Sequence, residues 1–328
     1  MNVEVVAPQV SEVSGDGASF SAVSTVSVSA LAEALLEIAR PLEAFDMPLL
    51  DAHGATLAED IFAGERLVLR KGSRIRSTQI GLAASIGLSR LPTQPHPRVV
   101  VISAGDDLVE PGHPLVSDEE EFETNSWLLT TAVKEAGAVG YRVHTIPENH
   151  AQLKAIIEDQ LVRADLIVIS GESHDGSVEL IEAVLREMGS ITSVIPSLEG
   201  SSRHNFGTIG EDKVPVITLP GDTVSAFLSC ELFIRPMIRR MLGASNIYRP
   251  TIKATITANV ESPIGQTSLI RATLSGANEN GARTVTPLSH QGEIFTLSDA
   301  HALIAIPADS PGALLGEVVD VLVLDRIS

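Results

Sequence analysis

Between residues 98 and 245, short runs of Val, Ile and Leu alternate with longer stretches in which apolar residues recur every three or four positions. The run at Asp165–Ile169 has no polar alternation, which is how a strand covered on both faces by helices reads. The same reading predicts strands over Arg98–Ile102, Tyr141–Ile146, Ser190–Ile195 and Val214–Leu219, and helices over Asn125–Ala136, His150–Leu161, Ser177–Met188 and Asp222–Leu242. This alternation argues for a three-layer α/β domain with a mostly parallel sheet, at roughly 93–245. Beyond Pro250 the texture changes to strands separated by Gly, Pro and Asn turns, at Thr251–Val260, Ser268–Leu274, Thr284–Pro287, Ala302–Ile306 and Val318–Leu324. A small β barrel or sandwich over 246–328 is expected.

Upstream the pattern is weaker. Val28–Ile38 reads as a helix capped by Ser29, and Ser77–Ser89 as a second one. Pro48–Ile61 reads as a strand, a turn at His53–Gly54 and a short return, and Pro92–Pro97 as a linker. Residues 30–92 thus form an N-terminal helical and extended segment. Residues 1–29 lack sustained periodicity and are expected to be a flexible tail carrying no core.

Four loops are expected to meet at the carboxyl edge of the sheet, where open α/β sheets bind ligands: Ser103–Leu108, Glu123–Ser126, Ser170–Glu179 and Leu219–Ala226. Gly221 permits close backbone approach, and Asp222 or Thr223 caps the helix that follows, leaving its amides for an anion. Against this, Glu172, Asp175 and Glu179 bring negative charge to the same edge, so the side chains oppose the anion that the backbone invites. Asp106 and Asp107 suit a cation or a hydroxyl proton, and equally a turn. His174 with Asp175 and Glu179 resembles a metal cluster on paper, but a solvated loop explains them as well. Arg203 and His204 are the cationic candidates among these loops. Trp127 starts a helix beside the acidic run Ser117–Glu123; it fits partly buried packing or a platform, and the run fits a solvated surface or a basic partner's site.

Charge and composition exclude several classes. The formal net charge of −19 argues against nucleic acid, since that affinity rests on Lys and Arg. No apolar run approaches the roughly 20 residues that span a bilayer, and no basic-then-apolar leader opens the chain, so a cytoplasmic protein without direct membrane insertion is expected. The single cysteine, Cys230, falls in an apolar helical pattern and reads as a buried structural thiol.

The order of these segments resembles the molybdopterin molybdenumtransferase (MoeA) family, whose fold is shared with the E domain of gephyrin. The resemblance is carried by Leu50–Ile61, Lys71–Leu88, Pro97–Leu115, Thr124–Ser126, Ala164–Gly171, Leu219–Gly243 and Gly316–Leu324. It implies a molybdopterin-binding-type α/β domain with a C-terminal β barrel. It also implies substrate contacts at Ser103, Gly105, Asp106, Asp107, Thr124, Asn125, Ser126, Ser170, Gly171, Gly176, Glu179, Pro220, Gly221, Asp222 and Ser225. The reaction it implies is molybdate insertion into an adenylylated molybdopterin, with Mg, in a two-fold dimer joined partly through Ser77–Ser89.

The departures are equally specific. Only Phe62–Arg70 stands where the family inserts a whole domain bearing catalytic carboxylates. The family's SGGVSxGxxD loop reads SGESHDGSVE, its KPGKP segment is represented by SLEGSSRHN, and LPGNPVSA has become LPGDTVSA. Together they lead to the expectation of a degenerate, dimeric scaffold with no catalytic residue, metal or bound cofactor of its own. Its partner would be a short peptide segment of another protein, held in the cleft between the β and α/β domains. The alternative is an active transferase handling molybdopterin, molybdate and Mg, with the missing domain supplied by a paralogue in a mixed dimer.

Overall fold

The computed structural model describes residues 23–105, 108–118, 120–145, 150–171, 177–277, 281–288 and 293–325. A short strand, β1 (Ser24–Val26), pairs in parallel with Val194–Pro196 at the sheet edge. Ser27 then caps α1 (Val28–Ile38), its Oγ accepting from the amide of Ala30 at 3.1 Å. Ser27 is extended (φ −67°, ψ 154°), as a capping residue must be, so the cap lies two residues before the Ser29 expected from the sequence. Leu31 and Leu35, one turn apart, are buried against the α/β sheet. Residues 24–29 therefore depart from the coreless tail expected of them: Val26 packs on that same core.

Next comes a small subdomain of β2 (Phe45–Pro48), β3 (Thr56–Leu57), β4 (Ile61–Ala63), β5 (Arg66–Leu69), α2 (Ser77–Ser85) and β6 (Arg90–Gln94). Its core is Ala52, Leu57, Leu69, Ile75, Ala83 and Leu91. β6 lies between β2 and β3, where the sequence suggested a linker from Pro92. Pro92 is tolerated because its carbonyl takes the amide of Ala58 at 2.9 Å while its missing N–H falls at the end of β3, where pairing stops. β4 and β5 form an antiparallel hairpin turned at Gly64, whose φ of +61° favours glycine. This hairpin is all that stands between Ile61 and Leu69.

The α/β domain follows as β7 (Arg98–Ala104), β8 (Leu108–Val109), β9 (Glu121–Phe122), α3 (Asn125–Ala136), β10 (Val139–Thr145), α4 (His150–Leu161), β11 (Leu166–Gly171), α5 (Ser177–Met188), β12 (Gly189–Pro196), β13 (His204–Ile209) and β14 (Val214–Leu219). Among the described residues seven strands make one sheet in the order β1-β12-β13-β14-β11-β7-β10. Along β7, Val99 and Val101 enter one apolar layer while Val100 and Ile102 enter the other, so both faces are covered and no polar alternation survives. The parallel centre is flanked by an antiparallel strand: β13 runs against both β12 and β14. β13 replaces the loop that the sequence suggested around Arg203 and His204. Gly207 allows it, because a Cβ there would lie 1.9 Å from the Ser190 carbonyl oxygen.

A continuous helical rod ends the domain as α6 (Thr223–Ser229), a π-helical turn (Cys230–Ile234) and α7 (Arg235–Met241). The remaining chain is β15 (Thr251–Ile256), β16 (Val260–Glu261), β17 (Ser268–Leu274), β18 (Thr284–Pro287), α8 (Glu293–Asp299), β19 (Ala302–Ile306), β20 (Gly312–Ala313) and β21 (Val318–Val323). β15, β18, β17, β19 and β21 close into a barrel, which settles the barrel-or-sandwich question. The barrel docks on the α/β domain through Leu198, Leu228, Leu269 and Leu303, and through paired bonds between Ser197–Glu199 and Thr267. Arg249 locks the joint, with a bidentate pair to the buried Glu231 (2.7 and 2.8 Å) and a bond to the carbonyl of Leu324 at 2.7 Å.

Candidate functional site

Strand order places the site. From β7 the chain crosses to β10 on one side and then back past β7 to β11 on the other, so the crevice of the open sheet lies at the carboxyl ends of β7 and β11. Register brings Ser103 opposite Ser170 and Ser170 opposite Leu219, setting three loop origins side by side. Ser103, Gly105, Ser170 and Pro220 are buried. Asp106, Asp107 and Gly176, together with Glu172, His174 and Asp175, lie outside the described residues. Glu179 is exposed on the first turn of α5.

Asn125, the first residue of α3, ties the loops together: its Nδ2 donates to Ser170 Oγ at 2.9 Å and to the Gly221 carbonyl at 2.6 Å. The carbonyl fixes the orientation of the amide, since the opposite flip would set two oxygens against each other. Its Oδ1 is then buried with no hydrogen-bond partner among the described residues. A buried acceptor left unpaired costs about 1–3 kcal/mol. Among the described residues, Asn125 is the one predicted contact residue that keeps a buried unmet valence.

The neighbouring predicted residues are spent on structure. Thr124 has the N-cap position of α3 but makes no side-chain cap; its Oγ1 donates to the Phe122 carbonyl. The capping falls to Glu123, fully buried, which accepts from the amide of Ser126 at 2.7 Å and from its hydroxyl. Arg142 of β10 completes this cluster with Glu123 and Glu110, and its guanidinium lies 4.1 Å from the centre of the Trp127 ring. Trp127 is thus an exposed ring stacked by a cation, and part of the acidic run is a buried structural acid. Asp222 caps α6 through the amide of Ser225 at 2.7 Å, and Ser225 Oγ donates to the Gly200 carbonyl at 3.0 Å. Gly171, Pro220 and Gly221 line a cavity of about 160 Å³ with Arg203, Asn205 and Thr218.

The two cationic candidates fare differently from the sequence expectation. Arg203 reaches the cavity but pairs with Glu182 at 3.1 Å. Burial alone would raise the Glu182 pKa, but hydrogen bonds from Arg186 and Ser193 and the charges of Arg186 and Arg203 outweigh it and hold it below the ordinary value. His204 is no cation at neutral pH: burial pushes its pKa down to about 4, against a smaller opposing effect from the Ser202 carbonyl. Nδ1–H donates to that carbonyl at 2.9 Å, which leaves Nε2 to accept from Ser229 Oγ at 3.1 Å. Cys230 is buried, its thiol pushed up by that burial. Among the described residues no group of three or more His, Cys, Asp or Glu converges as a metal site, and no helix is long and apolar enough to cross a membrane.

A doubly covered parallel sheet, a ligand crevice at its switch point and a closed barrel behind define the class: a molybdopterin-binding-type α/β protein with a C-terminal β domain. Residues 100–240 match the family described as a probable molybdopterin binding domain, and 253–324 match the MoeA C-terminal region, domain IV. The chain belongs to the MoeA family and is shorter than its full-length members. It is 35% identical over 257 residues to molybdopterin molybdenumtransferase 2 of Mycobacterium tuberculosis, covering 76% of this chain and 62% of that protein. Molybdopterin molybdenumtransferase 1 of the same organism is 30% identical over 275 residues, covering 81% of this chain and 63% of that protein. The chain therefore spans somewhat less than two thirds of these relatives. In fold it matches a molybdopterin biosynthesis MoeA protein from Pyrococcus horikosii, with a TM-score of 0.75 at 18% identity, covering 92% of this chain and all of that one.

Proposed function

We propose that this chain works in molybdenum cofactor biosynthesis as a non-catalytic, homodimeric member of its family that holds a short segment of another protein. The observation that carries the reading is the hairpin β4–β5, which joins Ile61 to Leu69 where the resemblance calls for a domain with catalytic carboxylates. The site supports it: the cavity beside Gly221 is about 160 Å³, and Arg203, the cation among its described lining residues, is engaged by Glu182. A larger groove of about 740 Å³ opens between α3, α6 and α8, lined by Leu128, Phe227, Ile294, Leu297 and Leu324 together with Glu135, Asp325 and Arg249, the last already paired with Glu231. Aliphatic or aromatic anchors with flanking Lys or Arg suit that lining and the net charge of −19.

A second reading rests on Asn125. Its Oδ1, unmet among the described residues, suits a ligand donor, as in a transferase completed by a paralogue in a mixed dimer. Calorimetric titration of the chain with adenylylated molybdopterin separates the two. The scaffold reading expects no saturable heat, and micromolar binding would sink it. Capture of host proteins by the chain and by Ile294→Glu tests the groove: identical partners for both would remove it from the proposal. Light scattering that gives only a monomer mass would remove the dimer.

A further inference from the structure

The half-buried arginines of this acidic chain are mostly matched to carboxylates: Arg98 to Asp165, Arg142 to Glu110 and Glu123, Arg186 and Arg203 to Glu182, and Arg249 to Glu231. One group departs from the rule. Arg235 and Arg239 stand one turn apart on α7, which places them on the same face about 6 Å from each other. Glu231, one turn before Arg235, has both oxygens taken by Arg249. Arg235 is left with its Nε buried and without a hydrogen-bond partner among the described residues. Among the described residues Arg239 donates to a backbone carbonyl, that of Asn246 at 3.2 Å. Arg74 joins from the N-terminal subdomain, whose loop is fixed to the end of α7 by the bond from the Ser245 amide to the Gly72 carbonyl at 3.2 Å.

Arg249 and Arg239 therefore act as like charges on Arg235, and Arg74 acts as one on Arg239. Burial, then the charges of Arg249 and Arg239, hold the Arg235 pKa below its ordinary value despite Glu231; burial and Arg74 do the same for Arg239. Among the described residues, the acids near Arg235 and Arg249 include Glu231, already engaged, and Glu135, 70% exposed and 3.9 Å from Arg249. The negative end of the rod's dipole offsets some charge at Arg239, but it acts mainly within the last turn and leaves Arg235 unserved. A desolvated cation with no counter-charge is costly, so an arrangement of this kind is favoured by an anion bound between the cations.

We propose that Arg235, Arg239 and Arg74 form a binding site for a tetrahedral oxyanion of the phosphate, sulfate or molybdate kind, at the junction of the N-terminal subdomain with α7. Such an anion presents oxygens to two guanidiniums at once, and each can donate through its planar fork. The site is separate from the crevice, because Arg235 lies thirteen positions beyond Asp222, which caps the rod at the crevice end. Bound there, the anion would couple the subdomain to the rod and raise the stability of both.

The test is calorimetric titration and thermal unfolding of the full chain with inorganic sulfate, phosphate and molybdate, against chloride at matched ionic strength. The expected result is saturable binding of the oxyanions and a rise in unfolding midpoint that chloride does not reproduce. Similar affinity for all three supports a general oxyanion site, and preference for molybdate of tenfold or more supports a molybdate site. Arg235→Met keeps the buried stem and removes the charge; it should bind at least about tenfold more weakly, yet unfold at the same or a higher temperature in oxyanion-free, low-salt buffer. That opposite pair of effects is what a purely structural arginine would not give. If Arg235→Met does not fold, Arg239→Gln with an unchanged midpoint carries the same comparison. No saturable heat, equal stabilisation by chloride, or undiminished binding by the folded variant would overturn the proposal.

Discussion

Replacing His204 should flatten the pH dependence of stability in a defined window. The imidazole is buried between the Ser202 carbonyl and Ser229 Oγ, with its edge toward Phe233, and its folded pKa is about 4 against an ordinary value of 6.5. The unfolded chain therefore binds a proton that the folded chain refuses. Stability from this group is fully present above about pH 6.5 and is lost as pH falls toward 4, at roughly 1.4 kcal/mol per pH unit, or about 2 kcal/mol by pH 5. Trp127 is the only tryptophan and sits on α3 of the same domain, so its emission during urea unfolding reports the relevant transition. The parent should lose about 2 kcal/mol between pH 7 and pH 5 that His204→Gln does not, although the variant starts lower at pH 7 because its fit is poorer. Parallel slopes for the two proteins would refute the assignment of a neutral, desolvated His204.

Other expectations follow from the same geometry. Asn125→Ala should lower stability by about 1–3 kcal/mol in urea titrations, and Asn125→Asp should cost at least as much, because a carboxylate cannot donate to the Gly221 carbonyl. Glu231→Ala should destabilise by about 3–5 kcal/mol, since it strands Arg249 at 13% side-chain exposure beside Arg235; calorimetric unfolding checks this. Arg142→Ala should shift Trp127 emission by removing the stacked guanidinium, and should also loosen the N-terminus of α3 by unpairing Glu123; fluorescence and urea titration read the two effects separately.

The sequence was most legible where one face or both faces of an element are uniformly apolar. The helices at Asn125–Ala136, His150–Leu161 and Ser177–Met188 have the bounds that their spacing predicts, and the central strands differ only at their ends. β13 was missed because His204, Asn205 and Gly207 look like a loop; they are strand residues because buried hydrogen bonds satisfy the two polar side chains and glycine clears the neighbouring backbone. β6 was hidden by Pro92, and β1 by its length of three residues. At the site, the convergence of Ser103, Ser170 and Gly221 was legible from strand order alone. The engagement of Arg203 by Glu182 and the buried role of Glu123 were not, since both depend on side chains that meet only in the folded chain. The resemblance supplied the family, and the structure supplied the geometry of the β4–β5 hairpin.

On the proposed reading, this chain does not transfer molybdate by itself. The most direct measurement is molybdoenzyme activity in a strain lacking every molybdopterin molybdenumtransferase, with this chain expressed as the sole family member and its folded level verified. No restored activity is the expected outcome. Restored activity in the absence of any paralogue would contradict the reading.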